Sequence, residues 1–138
     1  DYPGLFPLAV LAGGLMAAEG GPDGALCFSK GPGQPGLWSL AGGGGEPELL
    51  TSALPPEMWG NWTATRDGVY FLTCHPEAAP PARVQFFDFA SRFVSDVAAL
   101  PGTPAGADSG LSVSPDGQRL AYAQIDHAAH FIELRSRA

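Results

Sequence analysis

The chain has 138 residues, enough for one compact domain with a sizeable core. Hydrophobic residues make up 45% and charged residues 15%, which excludes a disordered, highly solvated chain. Seven Lys and Arg against fourteen Asp and Glu leave a net charge of −7, so no basic face exists to neutralise nucleic-acid phosphates.

In chain order, Leu5-Phe6-Pro7-Leu8-Ala9-Val10-Leu11 comes first and reads as an outermost strand that closes a neighbouring unit. The apolar stretch from Leu5 to Ala18 is shorter than the ~20 residues that cross a bilayer. It contains Pro7 and lacks a basic leader, so it reads as strands and not as a signal peptide. A first unit, 14–54, holds strands at Leu15–Ala18, Ala25–Ser29 and Gly36–Leu40, then Pro47–Leu54 after the Gly42–Gly45 turn. A second unit, 60–100, holds strands at Asn61–Thr65, Val69–Cys74, Arg83–Phe89 and Phe93–Leu100. Within it, Val84-Gln85-Phe86-Phe87-Asp88-Phe89 alternates as a half-buried strand does. A third unit, 110–135, holds strands at Leu111–Ser114, Arg119–Gln124 and His130–Arg135, and lacks the outer fourth.

The three units repeat one pattern. In each, a Gly opens a short alternating run, an Asp-Gly turn follows, and an apolar run comes next. Asp23, Asp67 and Asp116 are 44 and 49 residues apart (67 − 23 and 116 − 67). A period near ~45 residues with a hairpin turn in each unit predicts four-stranded antiparallel β-propeller blades. Asp-Gly suits a two-residue hairpin, because Gly accepts positive φ and Asp tolerates it. Arg66 stands where the other units have Pro, so the middle hairpin is expected to differ. The fold class is thus all-β, three blades making half of a six-bladed ring. A ring takes typically ~4–8 blades. The missing ones are expected from a homodimer, each N-terminal strand finishing the partner copy's last blade, or from a longer chain.

The run Leu111-Ser112-Val113-Ser114-Pro115-Asp116-Gly117-Gln118-Arg119-Leu120-Ala121-Tyr122 resembles the Ser-Pro-Asp-Gly-x-x-Leu-x-Tyr repeat of TolB-type, WD-like propellers. Pro22-Asp23-Gly24-Ala25-Leu26-Cys27-Phe28-Ser29-Lys30 is similar, with decay at its start. The wider context (Gly36-Leu37-Trp38, Gly60-Asn61-Trp62, Val69-Tyr70-Phe71) resembles the C-terminal propellers of bacterial winged-helix regulators. That resemblance implies a module for interaction or sensing, not catalysis.

Candidate chemistry is sparse. Trp59, Asn61 and Trp62 straddle the start of an innermost strand, and Asp108 with Ser109 holds the matching place in the third unit. Aromatic, amide and carboxylate groups there would line a ligand pocket at the mouth of a central channel; alternatively the tryptophans fill space between blades. Trp38, alternating within a third strand, reads as core between blades. Asn61-Trp62-Thr63 matches a glycosylation sequon, but an innermost strand would bury it. Asp126, His127 and His130, with His75 from an adjacent blade, form the most metal-like set, yet read better as solvated loop histidines. Asp23, Asp67 and Asp116 are explained by their turns. No Gly-x-Ser-x-Gly elbow and no Gly-rich phosphate loop with its lysine occurs. Cys27 and Cys74 lie in equivalent strands, too far apart for a ~5.5 Å disulfide span, and read as buried thiols.

The function expected is a non-enzymatic propeller module that binds a protein or small molecule and itself, with no cofactor, metal, nucleic acid or membrane. Two rivals belong to other classes. A prolyl-oligopeptidase-type hydrolase would carry its catalytic triad elsewhere. A lactonase-like propeller would need inward metal ligands, for which Asn61 and Asp108 are the candidates.

Overall fold

A computed structural model describes residues 16–21, 23–30, 34–42, 44–75, 77–102, 104, 110–124 and 129–134. The strand proposed at 5–11 lies outside these residues, as do Asp108, Ser109, Asp126 and His127. The structure is all-β and built of three antiparallel sheets. Sheet one is β1 (Met16–Gly20), β2 (Ala25–Ser29), β3 (Leu37–Leu40) and β4 (Glu48–Thr51), hydrogen-bonded in chain order. A 3₁₀ turn, Pro56–Met58, leads into sheet two: β5 (Trp62–Ala64), β6 (Gly68–Cys74), β7 (Ala82–Asp88) and β8 (Val94–Ala99). Sheet three is β9 (Leu111–Val113), β10 (Arg119–Ala123) and β11 (Ala129–Glu133), three strands among the described residues.

Each of the eleven strands falls where alternation and turn chemistry predict one, with ends displaced by a few residues. Strand β4 stops at Thr51, short of Leu54, because Leu54 drops into the core (1% exposed) and its carbonyl accepts the Gly36 N–H at 2.9 Å. The 3₁₀ turn has no periodic signature. Pro56 in its first turn, with φ already near the helical value, starts it.

The Asp-Gly hairpins correct the expectation of two-residue turns. Gly20 pairs with Ala25, so four residues connect β1 and β2. In sheet three the Ser114 N–H donates to the Arg119 carbonyl, again leaving four. There Pro115 and Asp116 make the bend, the Gly117 N–H returns to the Ser114 carbonyl at 2.8 Å, and Gly117 takes φ 72°. Glycine is thus used one position later than in a tight hairpin, at the left-handed residue that turns the chain back. The middle hairpin does differ. Thr65 and Gly68 close directly on Arg66-Asp67, through Thr65 N–H to the Gly68 carbonyl at 2.7 Å and Gly68 N–H to Thr65 Oγ1 at 3.2 Å.

Sheet two is flanked by the others, since β5 lies beside both β1 and β9. Its second strand shows the consequence: every residue of β6 from Gly68 to Thr73 is buried, with Val69, Phe71 and Leu72 at 0% exposure. A strand covered on both faces loses the inside-outside alternation of a one-sided sheet. Trp62, Phe86 and Phe87 from sheet two, Cys27 and Leu37 from sheet one, and Leu120 and Tyr122 from sheet three make one continuous cluster. Each fully buried Phe or Leu adds about 1.5–3 kcal/mol of transfer free energy.

Trp38 departs from its expected place. It is half-buried and stands apart from that cluster, with the Lys30 ammonium 3.9 Å from its ring centroid. The ammonium is attracted by the negative face of the indole ring.

Candidate functional site

Sheets one and two touch at their inner strands and diverge outward. At the inner end Gly20 packs against Ala64, and the Gly21 N–H donates to the Thr65 carbonyl at 3.2 Å. Between the diverging parts lies a cleft of about 620 Å³, within the range of small-molecule sites. Turn residues put charge around it. Asp23 comes from the β1–β2 connection, Arg66 and Asp67 from the β5–β6 turn, Asp88 and Arg92 from the β7–β8 hairpin, and Glu48 from the start of edge strand β4. Cys27, Ser39, Leu50 and Phe89 supply the less polar lining.

Several of these groups are already engaged. Asp88 Oδ1 accepts the N–H groups of Ala90 at 2.8 Å and Ser91 at 3.1 Å, which rigidifies the hairpin tip. The Arg92 N–H donates to the Asp88 carbonyl at 2.8 Å, and Arg92 sits at φ 62°, a left-handed conformation usually left to Gly or Asn. Its guanidinium crosses to Glu48 of sheet one, 2.7 Å away, and stands 5.9 Å from the Phe87 ring centroid. The Cys27 thiol is 0% exposed, and burial pushes its pKa up to about 11. It is therefore a neutral thiol at physiological pH and a poor nucleophile.

The residues predicted for the channel mouth are held differently. Trp59, Asn61 and Trp62 are brought together by the 3₁₀ turn and β5, and none of them lines the cleft. Trp62 is fully buried, and its Nε1–H is shared between Ser29 Oγ at 3.0 Å and the Trp59 carbonyl at 2.9 Å. Asn61 is 1% exposed, so the sequon is inaccessible in the fold; its Nδ2 donates to Met58 Sδ at 3.6 Å. Trp59 is half-buried. The space-filling reading thus accounts for Trp62, while Asp108 and Ser109 lie outside the described residues.

Among the repeated aspartates, Asp116 behaves as a turn residue. Its carboxylate accepts from Ser114 Oγ at 2.6 Å and from the Gln118 N–H at 3.0 Å. Those bonds hold it below the usual carboxylate range. Asp23 and Asp67 occupy turns and also reach the cleft. The cysteines are both free, Cys27 buried and Cys74 half-buried, not fully buried as expected. Among the described residues no three His, Cys, Asp or Glu side chains converge as a metal site would require.

The charged rim was not legible as a set. Its members come from three separate connections and the start of an edge strand, and only the apposition of two sheets collects them. The one usable signal is Arg66 in place of Pro in the middle turn. Arg92 carried none, because nothing in Ala90-Ser91-Arg92 marks a left-handed residue. Comparison with known proteins returns no match to this chain, whether among family models, curated proteins or solved structures.

Proposed function

We propose that this chain is a non-enzymatic β-propeller segment that serves as an interaction or ligand-sensing module and is completed into a ring by self-association. One observation carries the reading. Three antiparallel sheets, each hydrogen-bonded in chain order, adjoin through their first strands, β5 lying beside both β1 and β9. That is the relation neighbouring blades have around a central axis. The resemblance of the Ser114-Pro115-Asp116-Gly117 repeat to TolB-type, WD-like propellers, and of the wider context to the C-terminal propellers of bacterial winged-helix regulators, supports the same reading. Among the described residues β11 is an edge of sheet three, and residues 5–11 of a second copy are the proposed source of a further strand there.

The cleft between sheets one and two is the place proposed for a protein or small-molecule ligand. Its mixed rim of carboxylates and guanidiniums over a partly apolar wall suits recognition, and its one thiol is held neutral. Light scattering on the purified chain tests the assembly. Twice the monomer mass is expected, reverting toward monomer when residues 1–11 are removed. A strictly monomeric mass for the intact chain sinks the self-association part of the proposal.

A further inference from the structure

We propose that the Glu48–Arg92 ion pair is a salt-sensitive strap that holds the outer ends of sheets one and two together and so controls access to the cleft between them.

The two sheets are joined differently at their two ends. At the inner end Gly20 packs against Ala64, the Gly21 N–H donates to the Thr65 carbonyl, and the buried Trp62 Nε1–H donates to Ser29 Oγ. The buried cluster shared by the two sheets closes that end. At the outer end Glu48 and Arg92 line the cleft from opposite walls, and their side chains meet at 2.7 Å. The two side chains are 62% and 50% exposed, respectively, which places the pair at the solvent mouth and not on the floor.

The two anchors differ in rigidity. Arg92 rises from a hairpin tip locked by the Asp88 carboxylate and lies over Phe87 of its own sheet. Glu48 begins β4, an edge strand whose first two residues are exposed and whose pairing to β3 shifts register between Leu37 and Trp38. The yielding side is therefore the edge of sheet one. A second ion pair provides a comparison: Arg83 and Asp96 meet at 2.9 Å within sheet two and do not line the cleft. Both pairs are half-exposed, so each contributes little to global stability. They differ in what they connect.

Cys27 supplies a built-in reporter, since it lines the cleft yet is 0% exposed while the strap is closed. The experiment is modification of Cys27 in the intact protein by a small neutral thiol reagent, iodoacetamide, followed by peptide mass spectrometry so that Cys74 is read separately. Where reclosing outpaces reaction, the rate tracks the population of the open form. Glu48→Gln is expected to raise the Cys27 rate about two- to fivefold, the range an exposed ion pair allows. Raising NaCl from about 20 mM to about 1 M is expected to do the same in the wild type by screening the pair, and to have no such effect in Glu48→Gln. Asp96→Asn, which breaks the pair inside sheet two, is expected to leave the Cys27 rate near wild type. Equal acceleration by Asp96→Asn and Glu48→Gln would mean that Cys27 is reached by general loosening, and would overturn the strap. So would a wild-type rate indifferent to salt, or one unchanged by Glu48→Gln.

Discussion

Replacing Trp62 by Phe probes the junction of the first two sheets at its most buried point. Trp62 is 0% exposed, and its indole N–H bridges Ser29 Oγ of β2 and the Trp59 carbonyl. Phe keeps an aromatic ring but leaves roughly 40 Å³ unfilled, which costs about 1 kcal/mol at ~24 cal/mol per Å³. The lost hydrogen bond adds about 1 kcal/mol, the low end of the range, because neither acceptor is orphaned. Ser29 Oγ–H still donates to the Trp59 carbonyl at 2.5 Å. The total is about 2 kcal/mol, which at a urea m-value of about 2 kcal/mol/M lowers the midpoint by about 1 M. Circular dichroism is the suitable probe, since fluorescence would change with the residue itself. Ser29→Ala should cost about 1 kcal/mol, and the double variant less than the sum, because both remove parts of one bonded triangle. A Trp62→Phe cost under about 0.5 kcal/mol with an unchanged m-value would refute the account of this junction.

Three further outcomes are expected. Gly68→Ala would drive a Cβ into the Phe87 carbonyl and the Phe86 ring, and should destabilise by more than about 3 kcal/mol, whereas Gly117→Ala, at φ 72° with open space around it, should cost only about 1–2 kcal/mol; urea titration separates them. Arg92→Gly should leave stability unchanged or slightly raised, since about 1 kcal/mol of left-handed strain is relieved while an exposed ion pair worth about 0–1 kcal/mol is lost; a clear loss in the melting midpoint contradicts this. Hydrogen bonds from Arg83, then Gln85, hold Asp96 below the usual carboxylate range, so its contribution is complete above the unfolded-state pKa and fades as pH falls through the lower native value. Urea midpoints taken downward from about pH 5 should therefore drop less in Asp96→Asn than in the wild type, and equal drops exclude that role for the carboxylate.

Strand positions were legible in the chain because they depend on local properties. Alternation placed β7, and turn residues bracketed β2, β6 and β10, since a turn excludes strand geometry within two or three residues of itself. Sequence alone did not reveal the hairpin lengths, because Asp-Gly serves a four-residue connection as readily as a two-residue one. Which turn Gly117 completes depends on where Ser114 and Arg119 pair across it. Nor did it place Trp38 and Trp62 correctly. Trp38 reads as core and Trp62 as pocket lining or filler between blades, yet Trp38 is half-buried beneath Lys30 and Trp62 is fully buried, bonded to Ser29 of sheet one.

The sequence by itself determined the element types and their order, consequences of backbone sterics and the period of side-chain exposure. The tertiary structure alone decided which charges share a space. Glu48 and Arg92 are 44 residues apart and lie in unrelated local patterns, and they meet because sheets one and two adjoin at Gly20 and Ala64. A contact made by the apposition of two sheets depends on their relative placement, which the packing of the whole core sets and no single segment encodes.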